Sequence, residues 1–133
     1  MKYLLDANVI SEIVANPQGK VAERLAAVGE QNVITSIVVS AEIEFGVRKR
    51  GSSELAKQVA NVMRRIYVAP LAPPADKDYA ALRLDIEKRG RPIGPNDMLI
   101  AAHSLALGAT LVTDNVREFS RVPKLRIENW LRP

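Results

Sequence analysis

Four short apolar runs, separated by stretches of helical periodicity, limit what this chain can fold into. They are Tyr3-Leu4-Leu5, Val33-Ile34-Thr35, Tyr67-Val68-Ala69 and Thr110-Leu111-Val112-Thr113. Runs this short and this continuously apolar are strands buried on both faces, and helical stretches between them serve as crossovers. The pattern predicts an α/β fold with a central parallel sheet of four to five short strands flanked by helices on both faces. In such sheets ligands bind outside the carboxyl ends of the strands, which is where polar residues of this chain deserve scrutiny.

The intervening segments carry their own start and stop signals. Asn8 is placed to cap a helix bearing Val9, Ile10, Ile13 and Val14, and Asn16-Pro17-Gln18-Gly19 is a turn. Val21, Leu25 and Val28 line a second helix that stops at Gly29. Ser36 is placed to cap a helix from Ile37 to Arg50, with Glu42 in its middle and Gly46 one turn on, a spacing that suggests a close helix approach. Ser52 or Ser53 opens a helix through Leu55, Val59, Val62 and Ile66, and Pro70, Pro73 and Pro74 forbid helix across the next joint. A helix from about Ala75 to Lys88 follows, and Arg126, Ile127 and Trp130 suggest a last short strand and a packed tryptophan.

The segment Gly94-Pro95-Asn96-Asp97-Met98-Leu99-Ile100-Ala101-Ala102 starts with turn residues and becomes a helix face on which Asp97 sits beside Ile100, Ala101, Ser104 and Leu105. A carboxylate at the head of an apolar face points inward or into a cleft. It either satisfies free N–H groups at the helix start, worth roughly 0.5–2 kcal/mol, or binds a cation.

The chain has 133 residues, enough for one domain spanning 1–133 with a substantial core. It has no cysteine, which excludes disulfides and thiolate-bound zinc. An acid at position 6 interrupts any signal-peptide core, and no apolar run approaches the ~20 residues of a membrane span, so a cytoplasmic location is expected. The net charge of +4 favours an anionic partner such as nucleic acid, and the 5% aromatic content argues against a base-stacking platform.

Asp6 ends the first strand, Asp114-Asn115 ends a later one, Asp97 opens the helix feeding that strand, and Glu42 lies behind Ser36. Parallel topology gathers these at one edge. Carboxylates ~4 Å apart repel by about 4 kcal/mol per pair at an effective dielectric near 20, so the cluster binds a cation or holds protons. Oxygen-only ligation suits Mg²⁺ or Mn²⁺. Arg48-Lys49-Arg50, Arg64-Arg65, Lys88-Arg89-Arg91 and Arg117 are available to a polyanion, with Arg48, Arg91 and Arg117 the candidate RNA contacts.

Four segments in order carry a resemblance: Leu4-Leu5-Asp6-Ala7-Asn8, Ser36 with Glu42-Ile43-Glu44-Phe45-Gly46, Gly90 to His103, and Leu111 to Phe119 with Val122-Pro123 and Trp130. Together they resemble the PIN-domain proteins across the whole chain, in the VapC toxin branch near its FitB-like members. The resemblance implies a PIN-like fold and a magnesium-dependent endoribonuclease of a type II toxin–antitoxin pair. It implies that Asp6 and Asp97 ligate the metal and that Glu42 completes the acidic site. It further implies a homodimer, assembled into a larger complex with a VapB-type antitoxin whose C-terminal segment blocks that site. At the fourth acidic position many PIN domains carry an acid where Asn115 stands here, leaving Asp114, the Asn115 amide, or a three-acid site as the alternatives. Asn8, Ser36, Thr113 and Asn115 are supporting candidates; His103, nearly two turns beyond Asp97 and off to one side of its face, reads as a structural or interface residue. The competing readings are a non-catalytic PIN-like RNA- or antitoxin-binding regulator and a haloacid-dehalogenase-like phosphatase. The latter needs an Asp-x-Asp pair, whose second position is Asn8 here.

Overall fold

The computed structural model describes residues 2–133. Its centre is a five-stranded sheet of β1 (Tyr3–Leu5), β2 (Val33–Ser36), β3 (Tyr67–Ala69), β4 (Thr110–Val112) and β5 (Ile127–Glu128), in the order β3-β2-β1-β4-β5. Every pairing is parallel, with Leu4 opposite Ile34 on one side and Leu111 on the other. Leu4 and Leu5 point to opposite faces, and both are 0% exposed, so helices cover the sheet on both sides.

The chain builds outward from β1 in one direction, then returns to lay β4 and β5 on the other side. That reversal places a crevice at the carboxyl ends of β1 and β4, the switch point where open parallel sheets bind ligands. The Asp6 N–H bonds the Val112 carbonyl at 2.9 Å and the Thr113 N–H bonds that of Glu128 at 3.0 Å, so the ladder runs on into the crevice residues.

On the β1–β2 side lie α1 (Ala7–Ala15), α2 (Lys20–Val28), α3 (Ile37–Arg50) and α4 (Ser53–Met63), with α1 packed on the other three. α5 (Ala75–Arg89) and α6 (Pro95–Leu107) pack on each other before β4, and the short α7 (Val116–Phe119) follows it. Ser36 and Ser52 cap α3 and α4 through the N–H groups of Val38 and Leu55. Trp130 is buried against Tyr3, with ring centroids 5.5 Å apart.

Two local expectations are corrected. The cap of α1 is Asp6, whose Oδ1 accepts the Ala7 N–H at 2.8 Å, while Asn8 is already inside the first turn. The strand ends one residue before Asp6, so the helix begins sooner than the position of Asn8 suggests. Gly46 makes no close helix approach, since a Cβ there would meet nothing within 4 Å. It lies instead along the open groove between α1, α3 and α4.

Candidate acidic site

Asp6 is 6% exposed at the head of the crevice. Its Oδ2 accepts the Thr113 hydroxyl at 2.7 Å and the Asn8 amide at 3.4 Å. These donors, with the Ala7 N–H on Oδ1, fix the orientation of the carboxyl group. Asn8 also accepts the Asp114 N–H on its Oδ1 at 3.1 Å, which pins the end of β4 to the start of α1.

Glu42 approaches from α3. Burial, then the charge of Asp6, raises its pKa above the ordinary 4.5, against a hydrogen bond from the Asn96 side chain. Asn96, in the first turn of α6, is a site residue that the sequence reading treated only as a helix-start signal.

Asp97 lies at the centre of the group. The α6 cap is Gly94, which has no side chain to offer, and Asp97 turns toward other acids. Its pKa is raised from 3.8 to about 7 by burial, then by the charges of Glu118, Asp6 and Glu42. A hydrogen bond with the Glu118 side chain adds the smallest contribution in the same direction.

Glu118 was not among the acids singled out in the sequence, yet it is the fourth member of the cluster. Its Oε2 accepts the Asn115 amide at 2.8 Å and its Oε1 the Gly94 N–H at 2.9 Å. Those two bonds lower its pKa despite burial, with smaller help from Arg121 and Asp97. The signal was the Asn-x-x-Glu spacing from Asn115, which in sequence reads as an ordinary capping box.

Asp114 is corrected accordingly. Its Oδ1 accepts Asn129 Nδ2 at 3.1 Å and pairs with Arg132 Nε at 3.1 Å, so its charge is directed to the C-terminal tail. The neighbouring side chains along a strand end alternate in direction, and Thr113 takes the inward one. Asn115 does not offer its amide oxygen in place of an acid; it clamps Glu118 and donates its N–H to Thr113 Oγ1 at 3.0 Å. Ser36 caps α3 and meets His103 rather than the acids. Arg48 pairs with Glu44 on the exposed face of α3, whereas Arg91 and Arg117 are exposed and, among the described residues, held by no acid.

The donors present fit a hard divalent cation: four carboxylates, no sulfur, and no imidazole among them. Burial contributes most to the raised Asp97 pKa, and the repulsion from Glu118, Asp6 and Glu42 that adds to it is what a cation would relieve. A Cβ at Gly94 would stand 3.7 Å from Asp97 Oδ2 and 4.0 Å from Glu118 Oε1, so the glycine leaves the space beside both carboxylates open. Among the described residues no three acids stand together at ligating distance.

A parallel α/β sheet with the buried Asp6 and three half-buried carboxylates near its switch point, and oxygen donors alone, defines an acidic hydrolase-type site. The PIN domain family matches residues 3–125. Ribonuclease VapC2 of Rickettsia felis is 34% identical over 132 residues, covering 98% of each chain. The tRNA(fMet)-specific endonuclease VapC of Shigella flexneri is 32% identical over 131 residues, again covering 98% of each. The crystal structure of VapBC2 from Rickettsia felis bound to a promoter DNA fragment superimposes with a TM-score of 0.89 at 32% identity, covering 98% of this chain and 99% of that one. The chain therefore belongs to the PIN-domain family, in its VapC ribonuclease branch.

Proposed function

We propose that this protein is the toxin of a type II toxin–antitoxin module, a magnesium-dependent endoribonuclease that hydrolyses RNA phosphodiester bonds. The observation that carries the reading is that Asp6, Glu42 and Glu118 each act on the charge of Asp97 beside the β1–β4 switch point. Relatives named as a ribonuclease and as a tRNA-specific endonuclease match over nearly their whole length.

Asp6 and Asp97 would hold the Mg²⁺, with Mn²⁺ as a substitute, and Glu42 and Glu118 would complete its surroundings. When bound, the ion supplies charge neutralisation at the phosphate and a more acidic water. Thr113, Asn8 and the Ala7 N–H hold Asp6 in one orientation. Asn115 and the Gly94 N–H do the same for Glu118. Glu42, whose proton affinity is raised by burial and by Asp6, is suited to take a proton from water attacking phosphorus. Arg91 and Arg117 are exposed and available to hold flanking phosphates.

The partner is a VapB-type antitoxin. Between α1, α3 and α4 runs an apolar groove lined by Ile10, Val14, Ile43, Leu55 and Val59, with Glu42 and Arg50 at its polar margin. An apolar antitoxin segment laid there would reach the acidic site with a basic residue opposite Glu42. The exposed Ile37 and Phe45 of α3 supply apolar area for a second copy of the chain, in keeping with a homodimer inside the larger complex.

The test is cleavage of total RNA by purified protein with Mg²⁺ or Mn²⁺. Asp6→Ala and Asp97→Asn abolish cutting, as does EDTA. Variants that cut like wild type sink the reading, and toxicity that survives Asp97→Asn points to a binding regulator instead.

A further inference from the structure

His103 is 1% exposed, and no step above uses it. Its place follows from the way α3 packs on α6. Near the sheet, Ser36 Oγ lies 2.7 Å from His103 Nδ1. Farther along, Glu42 meets the Asn96 side chain and the charge of Asp97. Six residues separate Ser36 from Glu42, and six separate Asp97 from His103. Both pairs therefore lie on one antiparallel register, ~9 Å apart along the helices at ~1.5 Å per residue.

The hydrogen bonds define the ring's state. Ser36 Oγ already accepts the Val38 N–H at 3.0 Å, so its own hydrogen is free for His103 Nδ1. Nδ1 then accepts, and the ring carries its hydrogen on Nε2. That atom faces the Pro70 carbonyl, without closing a hydrogen bond of normal geometry. Burial favours the same neutral ring.

Around this contact the α6 surface is made of small residues. Ala101, Ala102 and Ser104 are each 0% exposed. Small side chains let helices approach closely but supply no knobs to stop one sliding along the other. A buried polar pair does, because sliding strands both partners away from water; fixing register is the best-attested use of such pairs.

We propose that His103 is a positioning residue: by accepting the Ser36 hydroxyl it fixes the register of α3 on α6, and so the separation of Glu42 from Asp97. This rests on the acidic-site reading above, and the experiment separates the two. Mn²⁺ alone is titrated calorimetrically into wild type, Asp97→Asn, His103→Leu and His103→Asn, and RNA cleavage is measured in parallel. His103→Leu is expected to weaken Mn²⁺ binding and lower kcat at least tenfold, with KM for RNA little changed. His103→Asn restores an acceptor near the Nδ1 position and recovers most of both. Should His103→Leu fold poorly, His103→Leu with Ser36→Ala removes both polar atoms, and melting curves identify a folded protein on which the same loss must appear. A folded variant without the pair that matches wild type in Mn²⁺ affinity and kcat overturns the proposal and leaves the acidic site intact. Wild type that binds Mn²⁺ no better than Asp97→Asn overturns the acidic-site reading and the proposal with it.

Discussion

Thr113 Oγ1 donates to Asp6 Oδ2 at 2.7 Å, joining residues 107 positions apart through the pairing of β1 with β4. The donor is fully buried and its oxygen is also used by the Asn115 N–H. Thr113→Val keeps the shape and removes both bonds, along with a longer one from the Asn8 amide at 3.4 Å. A hydrogen bond to a charged group contributes roughly 1.5–3 kcal/mol, so cleavage should fall about 10- to 100-fold, while Thr113→Ser stays near wild type. Equal rates for the Val and Ser variants would show that Asp6 needs no such support.

Asp97 sets the pH dependence of the metal-free protein. Its folded pKa of about 7 lies above its ordinary 3.8, so the folded chain holds the proton more tightly than the unfolded chain. Stability from this group is complete below about pH 4 and is lost as pH rises through 7. Glu118 shifts the other way, but it is ionised in both states across the upper part of that window. Asp97→Asn should therefore raise the melting temperature at pH 8 in EDTA and scarcely change it at pH 4. Thermal melts at the two values check this, and a lower melting temperature at pH 8 refutes it.

The same proton competes with a cation. Binding of Mg²⁺ or Mn²⁺ at Asp97 should release up to one proton below pH 7 and none well above it. Apparent affinity should climb between pH 6 and pH 8 and then level off. Calorimetry in buffers of different ionisation enthalpy counts the released protons directly.

Glu118 and Asp114 can be told apart by paired variants. Glu118→Gln should weaken Mn²⁺ binding and cleavage and return Asp97 toward the ordinary carboxylate range. Asp114→Asn should leave both near wild type, because its partner Arg132 is largely exposed and such a pair is worth ~0–1 kcal/mol. The opposite ranking would restore Asp114 to the site.

In the groove, Val59→Glu places a charge where an apolar partner segment would lie. It should reduce co-purification of a co-expressed antitoxin more than tenfold while sparing RNA cleavage, since an unpaired charge in an apolar contact costs several kcal/mol. Undiminished antitoxin capture would move the partner's site elsewhere.

Much of this was legible in the chain. The strand runs, the Ser36 cap and the glycine stop at Gly29 are local events set by side-chain chemistry and backbone preference, and each is where the sequence placed it. Asp6, Glu42 and Asp97 could be nominated because strand ends and helix starts converge by topology. The fourth acid could not be found that way. α7 is four residues long, and only its packing beside Gly94 brings Glu118 over Asp97. Asp114 was misread because a strand-end carboxylate reveals its position but not its direction, and the direction is settled by Asn129 and Arg132 from the tail.

The sequence by itself determined the order of elements, the all-parallel sheet and the edge at which acids collect, because apolar periodicity and turn chemistry act over a few residues. Only the tertiary structure decided which acids act on one another, which one has its pKa raised most, and that a buried histidine meets the start of the helix that carries Glu42. Those outcomes depend on distances of a few ångströms between residues far apart in the chain, and electrostatic energy in a buried crevice changes steeply over such distances.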